Sequence, residues 1–129
     1  MIRRRAEFVI LAAIAVSAPA QADVVISSAA TQNMSCSAGV CSPTATDAVL
    51  NVTDLENMLW EDVTVTTAGS GDVQANNIII SARLAGAWAT VLSLDAYESI
   101  VVQSKIGLEN TGGLSFTTND GGSGGALWM

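Results

Sequence analysis

Three aspartates, Asp72, Asp95 and Asp120, recur in the second half of the sequence at nearly equal intervals. Two carboxylates that converge across a groove are the catalytic groups of many glycoside hydrolases, so one hypothesis is a carbohydrate-active enzyme. Polysaccharide lyase chemistry would also need cations on the same face, and beyond the N-terminal segment only Arg83 and Lys105 are available. Turn acids that are solvated or that bind Ca²⁺ explain the spacing equally well. We therefore predict no catalytic residue, no cofactor, no metal site and no enzymatic activity.

The N-terminal segment has the three parts of a secretory signal peptide. Arginines at positions 3–5 precede an uninterrupted apolar run over 8–16, and a small-x-small triplet from Ala20 to Ala22 follows. A retained membrane anchor is the alternative, but nine apolar residues are too few to span a bilayer. The sequence predicts a signal peptide over 1–22, cleavage between Ala22 and Asp23, and contact with the general export machinery in transit.

Removal of that segment would leave a strongly acidic chain. Only Arg83 and Lys105 would remain against eleven carboxylates, which gives a net charge of −9. Such a chain has no basic patch to neutralise phosphates or anionic lipid headgroups. We therefore exclude nucleic-acid binding and direct membrane insertion from the predicted functions.

The two cysteines lie in the segment "MSCSAGVC", where Cys36 and Cys41 bracket a tetrapeptide that can turn at Gly39. In an exported protein a disulfide is the favoured state of such a pair. A metal site is the alternative, but the sequence has no histidine and no second cysteine pair. The spacing also differs from the Cys-x-x-Cys of redox proteins. We predict a disulfide that closes a local hairpin or cap and contributes about 2 kcal/mol.

One segment, "VTDLENMLWED", has helical character. Leu55, Met58 and Leu59 have the i, i+3, i+4 spacing of one helix face, and Thr53 with Glu56 fits a capping box. A helix of about two turns is not stable alone, so its apolar face must cover another element. We predict that residues 23–61 form an N-terminal cap that contains this helix and the Cys36–Cys41 loop.

Beyond Trp60 the apolar residues alternate with a period of two, as in strands with one buried face. The predicted strands are 63–65, 78–80, 92–94, 100–102 and 114–116. Apolar positions also repeat at longer range. One interval separates Ile78 from Ile100, Leu84 from Ile106 and Leu92 from Leu114, and the interval from Ile106 to Leu127 is shorter by a single position.

A repeat of this length in short β-rich pieces is the signature of a solenoid. The steps from Ile78 to Leu84, from there to Leu92 and on to Ile100 are short and similar, which indicates three short strands per coil. The predicted fold is all-β, a parallel β-helix of about 22 residues per coil over 62–129. A small antiparallel β-sandwich remains the alternative, because it also has short strands and Gly/Asn turns.

Two segments resemble the repeats of bacterial filamentous-haemagglutinin-like and autotransporter passenger proteins. "LSLDAYESIVV" resembles their L-x-L-x-A-x-x-S-I-x-V pattern, and "TGGLSFTTNDGGSGGAL" resembles G-G-L-x-L-x-T-N-x-G-G. The stretch "MSCSAGVCSPTATDAVLNVTDLENML" is similar to the opening of such proteins, ahead of the repeats.

The resemblance implies a right-handed parallel β-helix on an exported protein at the cell surface or outside the cell, or in the periplasm if the chain is truncated. It implies an adhesin-like role, in which a stalk contacts host or neighbouring-cell surface molecules. We also expect the coils to be truncated at the C-terminus, as in a fragment of a longer protein. The alternatives are the carbohydrate-active β-helix enzyme and a small periplasmic β-sandwich protein.

Overall fold

The structure is a computed structural model and describes residues 22–87 and 89–129. The predicted signal peptide therefore lies outside the described residues, except for Ala22. The elements in chain order are β1 (Asp23–Ser27), β2 (Met34–Ser37), β3 (Val40–Pro43), β4 (Ala48–Asn51), α1 (Val52–Met58), β5 (Val63–Thr66), β6 (Asn77–Ile80), β7 (Leu84–Gly86), β8 (Val91–Asp95), β9 (Ile100–Val102), β10 (Ile106–Leu108), β11 (Gly113–Thr117) and β12 (Leu127–Trp128).

The strands stack into three sheets that form the sides of a β-solenoid of about four turns, with about 24 residues per coil. Sheet I has the order β4-β1-β6-β9-β12, sheet II has the order β2-β3-β5-β8-β11, and sheet III pairs β7 with β10. All of these neighbours run parallel except β2 and β3. The predicted parallel β-helix is confirmed, and the antiparallel sandwich is wrong.

Three of the four predicted stacking pairs are present in the sheets. Ile78 pairs with Ile100, Leu84 with Ile106 and Leu92 with Leu114. The fourth pair is wrong, because Leu127 lies beside Ile100 in sheet I and not above Ile106 in sheet III. The chain returns from β11 to sheet I through a long corner, which makes the interval between these partners longer than the repeat.

The core fills the interior of the stack with residues from alternate strand positions. In sheet II the pairs Val63–Leu92 and Val65–Leu94 place apolar side chains over one another, and all four are at most 1% exposed. Fully burying each such side chain contributes about 1.5–3 kcal/mol, so these ladders are the main stabilising feature of the fold. The other fully buried large side chains are Val24, Ile26, Leu50, Leu55, Leu59, Ile78, Ile80, Leu84 and Ile100.

The first strand, β1, is inserted between two strands that come later in the chain. It pairs with β4 on one side and with β6 on the other, and its residues alternate between buried and half-buried. This strand is not among those predicted from the sequence. Just before it, the Ala22 carbonyl accepts a hydrogen bond from Asn76 N–H at 2.6 Å.

Helix α1 packs against β4 and β7, where a strand of sheet III would otherwise continue the stack. Its buried residue is Leu55, and Leu59 at its C-cap is also buried. The predicted capping box is wrong: Asn51, not Thr53, is the N-cap, and its side chain accepts a hydrogen bond from Asp54 N–H at 3.0 Å. No helix in the described part of the chain has the length and apolar character needed to cross a bilayer.

Candidate functional site

The N-terminal end of the solenoid is closed by the β2–β3 hairpin. Cys36 lies opposite Cys41 across the two strands, and a disulfide joins them with a Cα–Cα distance of 4.0 Å. The turn residues Ala38 and Gly39 have φ values of 52° and 79°, as two-residue hairpin turns require. A Cβ atom at Gly39 would lie 2.8 Å from the Asp62 carbonyl oxygen, so glycine is needed there. The hairpin therefore places a short covalent link at the edge of sheet II.

Two acidic side chains accept hydrogen bonds from strand N–H groups in sheets II and III. Glu56 Oε2 accepts a hydrogen bond at 2.9 Å from Ala85 N–H, in the first strand of sheet III. Asp62 Oδ1 accepts one at 2.8 Å from Val91 N–H, at the start of β8. Glu56 acts at the edge of sheet III, where no strand precedes β7, whereas Asp62 acts between the paired strands β5 and β8. The partner of Glu56 is therefore distant in sequence and differs from the local partner that the predicted capping box gives it.

The opposite end, here called the C-terminal face, consists of the outer residues of β10, β11 and the chain from β12 onward: Ile106, Leu114, Phe116, Leu127, Trp128 and Met129. Leu114 and Leu127 are each 40% exposed, Trp128 is 61% exposed and Met129 is 85% exposed. A cleft of about 330 Å³ enters the stack here, and its lining includes Lys105 as well as Ile106, Leu114, Phe116 and Met129. This face is apolar, and no further strand layer covers it among the described residues.

A second cleft, of about 300 Å³, lies between the hairpin and α1. Met34, Leu50 and Met58 contribute apolar surface, and Cys36 of the disulfide also lines it. At its rim the Thr31 hydroxyl donates a hydrogen bond of 2.6 Å to Asp54 Oδ2. The Asp54 carboxylate thus supports the loop that leads into the hairpin.

The three recurring aspartates lie in the corners that connect sheet II to sheet I, but only two of them meet. Asp95 ends β8 and lies against Asp120 of the next coil, whereas Asp72 is exposed in the turn after β5. Burial, together with the hydrogen bond and the negative charge of Asp120, raises the pKa of Asp95 to about 6. Asp95 Oδ1 is buried without a hydrogen-bond partner. Protonation of Asp95 would allow it to donate a hydrogen bond to Asp120, whereas two ionised carboxylates can only accept.

The glycines that follow Asp120 allow the last corner to lie close to the corner beneath it. A Cβ atom at Gly121 would lie 2.9 Å from Tyr97 Cε1, and one at Gly122 would overlap the Tyr97 carbonyl oxygen. A Cβ atom at Gly125 would likewise overlap the Glu98 carbonyl oxygen. Gly122 N–H donates to the Tyr97 carbonyl at 3.0 Å, which fixes the approach. Close packing between successive coils is therefore the reason for glycine at these corner positions.

The cations and the recurring aspartates lie in different corners of the described structure. Arg83 and Lys105 lie ahead of β7 and β10, in the corner between sheets I and III, away from the aspartates. Neither Asp95 nor Asp120 lines any of the clefts described above or the smaller third cleft of about 120 Å³ beside the hairpin. Residues 22–87 and 89–129 contain no group of three or more His, Cys, Asp or Glu side chains that could hold a metal ion.

Comparison of the chain with models of protein families, with curated proteins and with solved structures gave no match. The most distinctive features of the described residues are the two ends of the solenoid. One end of the solenoid is closed by a disulfide-linked hairpin and a helix, and the other end presents an uncovered apolar face.

Proposed function

We propose that this chain is an exported, surface-displayed β-solenoid passenger that acts as an adhesin-like structural and binding stalk. The observation that carries the proposal is the stack of parallel strands, which begins at a closed N-terminal end and continues in register through sheets I and II. Such a stack offers repeated side faces for contact, and each further coil would lengthen it. The family resemblance supports the same role, because its apolar motif positions Leu92, Leu94 and Ile100 are core residues.

The proposed binding surface is the outer side of sheet II. Ladders of polar residues occupy the outward positions there: Thr64 pairs with Ser93, and Ser93 with Ser115. Small hydroxyl side chains on neighbouring strands present hydrogen-bonding groups at the strand spacing of about 4.8 Å. The proposed partners are surface molecules of a host or a neighbouring cell.

Export can be tested by expressing the full chain in a Gram-negative bacterium and sequencing the N-terminus of the product. We expect an N-terminus at Asp23 in the periplasm, the medium or the cell surface. Cleavage there would leave β1 whole, because the strand begins at Asp23, and would remove the buried Ala22 with its hydrogen bond from Asn76 N–H. Replacing Ala20 and Ala22 by Glu should block processing, whereas Ala29→Glu should not. An uncleaved cytoplasmic product would contradict the proposal.

Adhesion can be tested by the retention of beads coated with the purified chain on cultured cells. We expect Ser93→Arg with Ser115→Arg to reduce retention, because bulky cations would interrupt the polar ladder of sheet II. Arg substitutions at Ser28 and Ala29, which are exposed outside the sheets, serve as the matched control. Equal retention of both variants and the unmodified chain would contradict a role for this face.

A further inference from the structure

The β2–β3 hairpin and α1 bring sulfur atoms together in one small region. Met34 and Cys36 occupy alternate positions of β2 and line the second cleft together with Met58 of α1. Cys41, opposite Cys36, is fully buried, and its Sγ lies beside Met58 Sδ. The described residues contain one further sulfur atom, that of Met129, which follows β12. The sulfur-containing side chains are therefore concentrated at the hairpin.

The contact between Cys41 and Met58 has the spacing of a metal site. Packing alone would explain a methionine here, because its flexible side chain fills irregular apolar gaps. However, a metal ion that binds two sulfur ligands at about 2.3 Å each holds them about 3.8–4.0 Å apart in tetrahedral or trigonal geometry. The distance from Cys41 Sγ to Met58 Sδ is 3.9 Å. The two atoms thus have the separation of two ligands of one ion.

Cys36 supplies a third sulfur once the disulfide is opened. Its side chain is exposed, whereas Cys41 is buried, so a reductant reaches the bond from the side of Cys36. A dithiol reductant gives two electrons and two protons: the S–S bond breaks, both cysteines become thiols, and the dithiol closes to its own disulfide. The exposed Cys36 side chain then has room to rotate, and the two sulfurs can separate without a change in the register of β2 and β3.

We propose that the reduced chain binds one Cu(I) ion through Cys36 Sγ, Cys41 Sγ and Met58 Sδ. Binding releases both thiol protons to solvent, and two thiolates with one thioether form a three-coordinate site. Thiolate and thioether ligands favour a soft ion such as Cu(I), and the sequence has no histidine that would favour a harder one. Met34 and Leu50 add apolar surface around the site. The disulfide is the form of the chain that does not bind.

Two carboxylates lie near the sulfur atoms and distinguish this proposal from a site for a harder ion. Asp54 lines the second cleft, but its Oδ2 already accepts the hydrogen bond from the Thr31 hydroxyl. Glu61 lines the third cleft together with Cys36 and Met58. A Zn(II) site would recruit Glu61 as an oxygen ligand, whereas the Cu(I) site does not use it. Glu61→Gln should therefore leave Cu(I) affinity unchanged.

The proposal can be tested by competition for Cu(I) between the purified chain and the chromogenic chelator bicinchoninate in the absence of oxygen. After reduction with a dithiol and removal of the dithiol, the chain should withdraw one equivalent of Cu(I), and the oxidised chain should withdraw none. Met58→Leu should weaken binding about tenfold or more, because loss of even a supporting group at a metal site has an effect of that size. Met129→Leu is the matched control and should not change the affinity.

Leucine keeps the apolar packing of methionine, so a purely structural role of Met58 would not alter Cu(I) affinity. Circular dichroism should show that the reduced chain keeps its sheets. Loss of the sheet signal on reduction would overturn the proposal, because the hairpin would no longer hold the ligands. A reduced chain that withdraws no Cu(I), an oxidised chain that withdraws as much, or equal affinities of Met58→Leu and Met129→Leu would also overturn it. Zn(II) binding as tight as Cu(I) binding, and lost in Glu61→Gln, would replace it with a harder site.

Discussion

The two ends of this solenoid are made of similar coils but terminate differently. At the N-terminal end, α1 and the hairpin lie over the stack, and the Glu56 carboxylate accepts a hydrogen bond from an N–H group of β7, the first strand of sheet III. At the C-terminal end, the ladder residue Leu114 and the strand edges have no such partners among the described residues. Closing a parallel stack thus requires acceptors for strand N–H groups as well as apolar cover. Among the described residues, the last coil has neither an acceptor for these N–H groups nor an apolar cover.

Leucine-to-alanine substitutions at Leu92 and at Leu114, which is stacked on it in sheet II, should give the largest difference in the free energy of unfolding. Leu92→Ala should lower the free energy of unfolding by about 3 kcal/mol, because Leu92 is fully buried and truncation leaves a cavity. Leu114→Ala should lower it by less than about 1 kcal/mol, because that side chain is already 40% exposed. Urea unfolding at low protein concentration measures both. Equal losses would show that Leu114 is as well covered in solution as Leu92.

Reducing the disulfide should weaken the closed end by an intermediate amount. Cys36 and Cys41 are close in sequence, and loss of so short a loop closure should lower the free energy of unfolding by about 2 kcal/mol. The measurement is the urea midpoint with and without reductant. A variant with Cys36→Ala and Cys41→Ala is the control and should not respond to reductant. An unchanged midpoint for the native chain would mean that the hairpin closes this end without its covalent link.

Removal of the carboxylate that caps sheet III should have a smaller effect. Glu56→Ala leaves Ala85 N–H without its acceptor and should cost about 1–2 kcal/mol. Glu109→Ala, at an exposed position near the other end, should cost less than about 0.5 kcal/mol. Hydrogen exchange of the Ala85 amide gives an independent measurement, which should accelerate only in Glu56→Ala. Unchanged exchange would assign the protection of this amide to the helix backbone.

The pairing of Asp95 with Asp120 should produce the smallest effect, seen as a pH dependence near the open end. The folded chain binds a proton at Asp95 more tightly than the unfolded chain, because the pKa rises from 3.8 to about 6. The resulting stabilisation is fully present below pH 3.8 and is lost as the pH rises through 6. Asp95→Asn should therefore raise the melting temperature at pH 7 and flatten its dependence between pH 4 and 6. Asp72→Asn, at an exposed turn, should keep the slope of the native chain, and an equal change in both variants would point to net charge instead.

The repeating part of the fold could be predicted from the sequence, because short corners of constant length keep the same number of residues between stacked partners. Ile78, Leu84 and Leu92 each find a partner one constant interval later. The prediction failed at Leu127, where the preceding corner is longer than the repeat allows. A similar long corner lies between β5 and β6. Val63 and its partner Leu92 are therefore further apart in sequence than the repeat length, and a search for a fixed repeat would not find this pair.

Other features could not be predicted, because they depend on contacts between distant parts of the chain. The N-terminal strand β1 pairs with β6, which lies beyond five intervening elements, so no local repeat reveals it. The acceptor role of Glu56 depends on the Ala85 amide, which lies far beyond the helix. The near-equal spacing of Asp95 and Asp120 is visible in the sequence, but the raised pKa of Asp95 follows from burial and from its contact with Asp120, which the sequence does not show.

The position of β1 also determines the order in which the molecule can assemble. Asp23 to Ile26 pair with Asn77 to Ile80, so one side of the first strand stays open until Ile80 has been synthesised. Closing a loop of this length is slow compared with adding one coil to the next. The strand that leaves the ribosome first is enclosed only after β6 arrives, and a chain interrupted before that point would expose Val24 and Ile26 to solvent or to other chains.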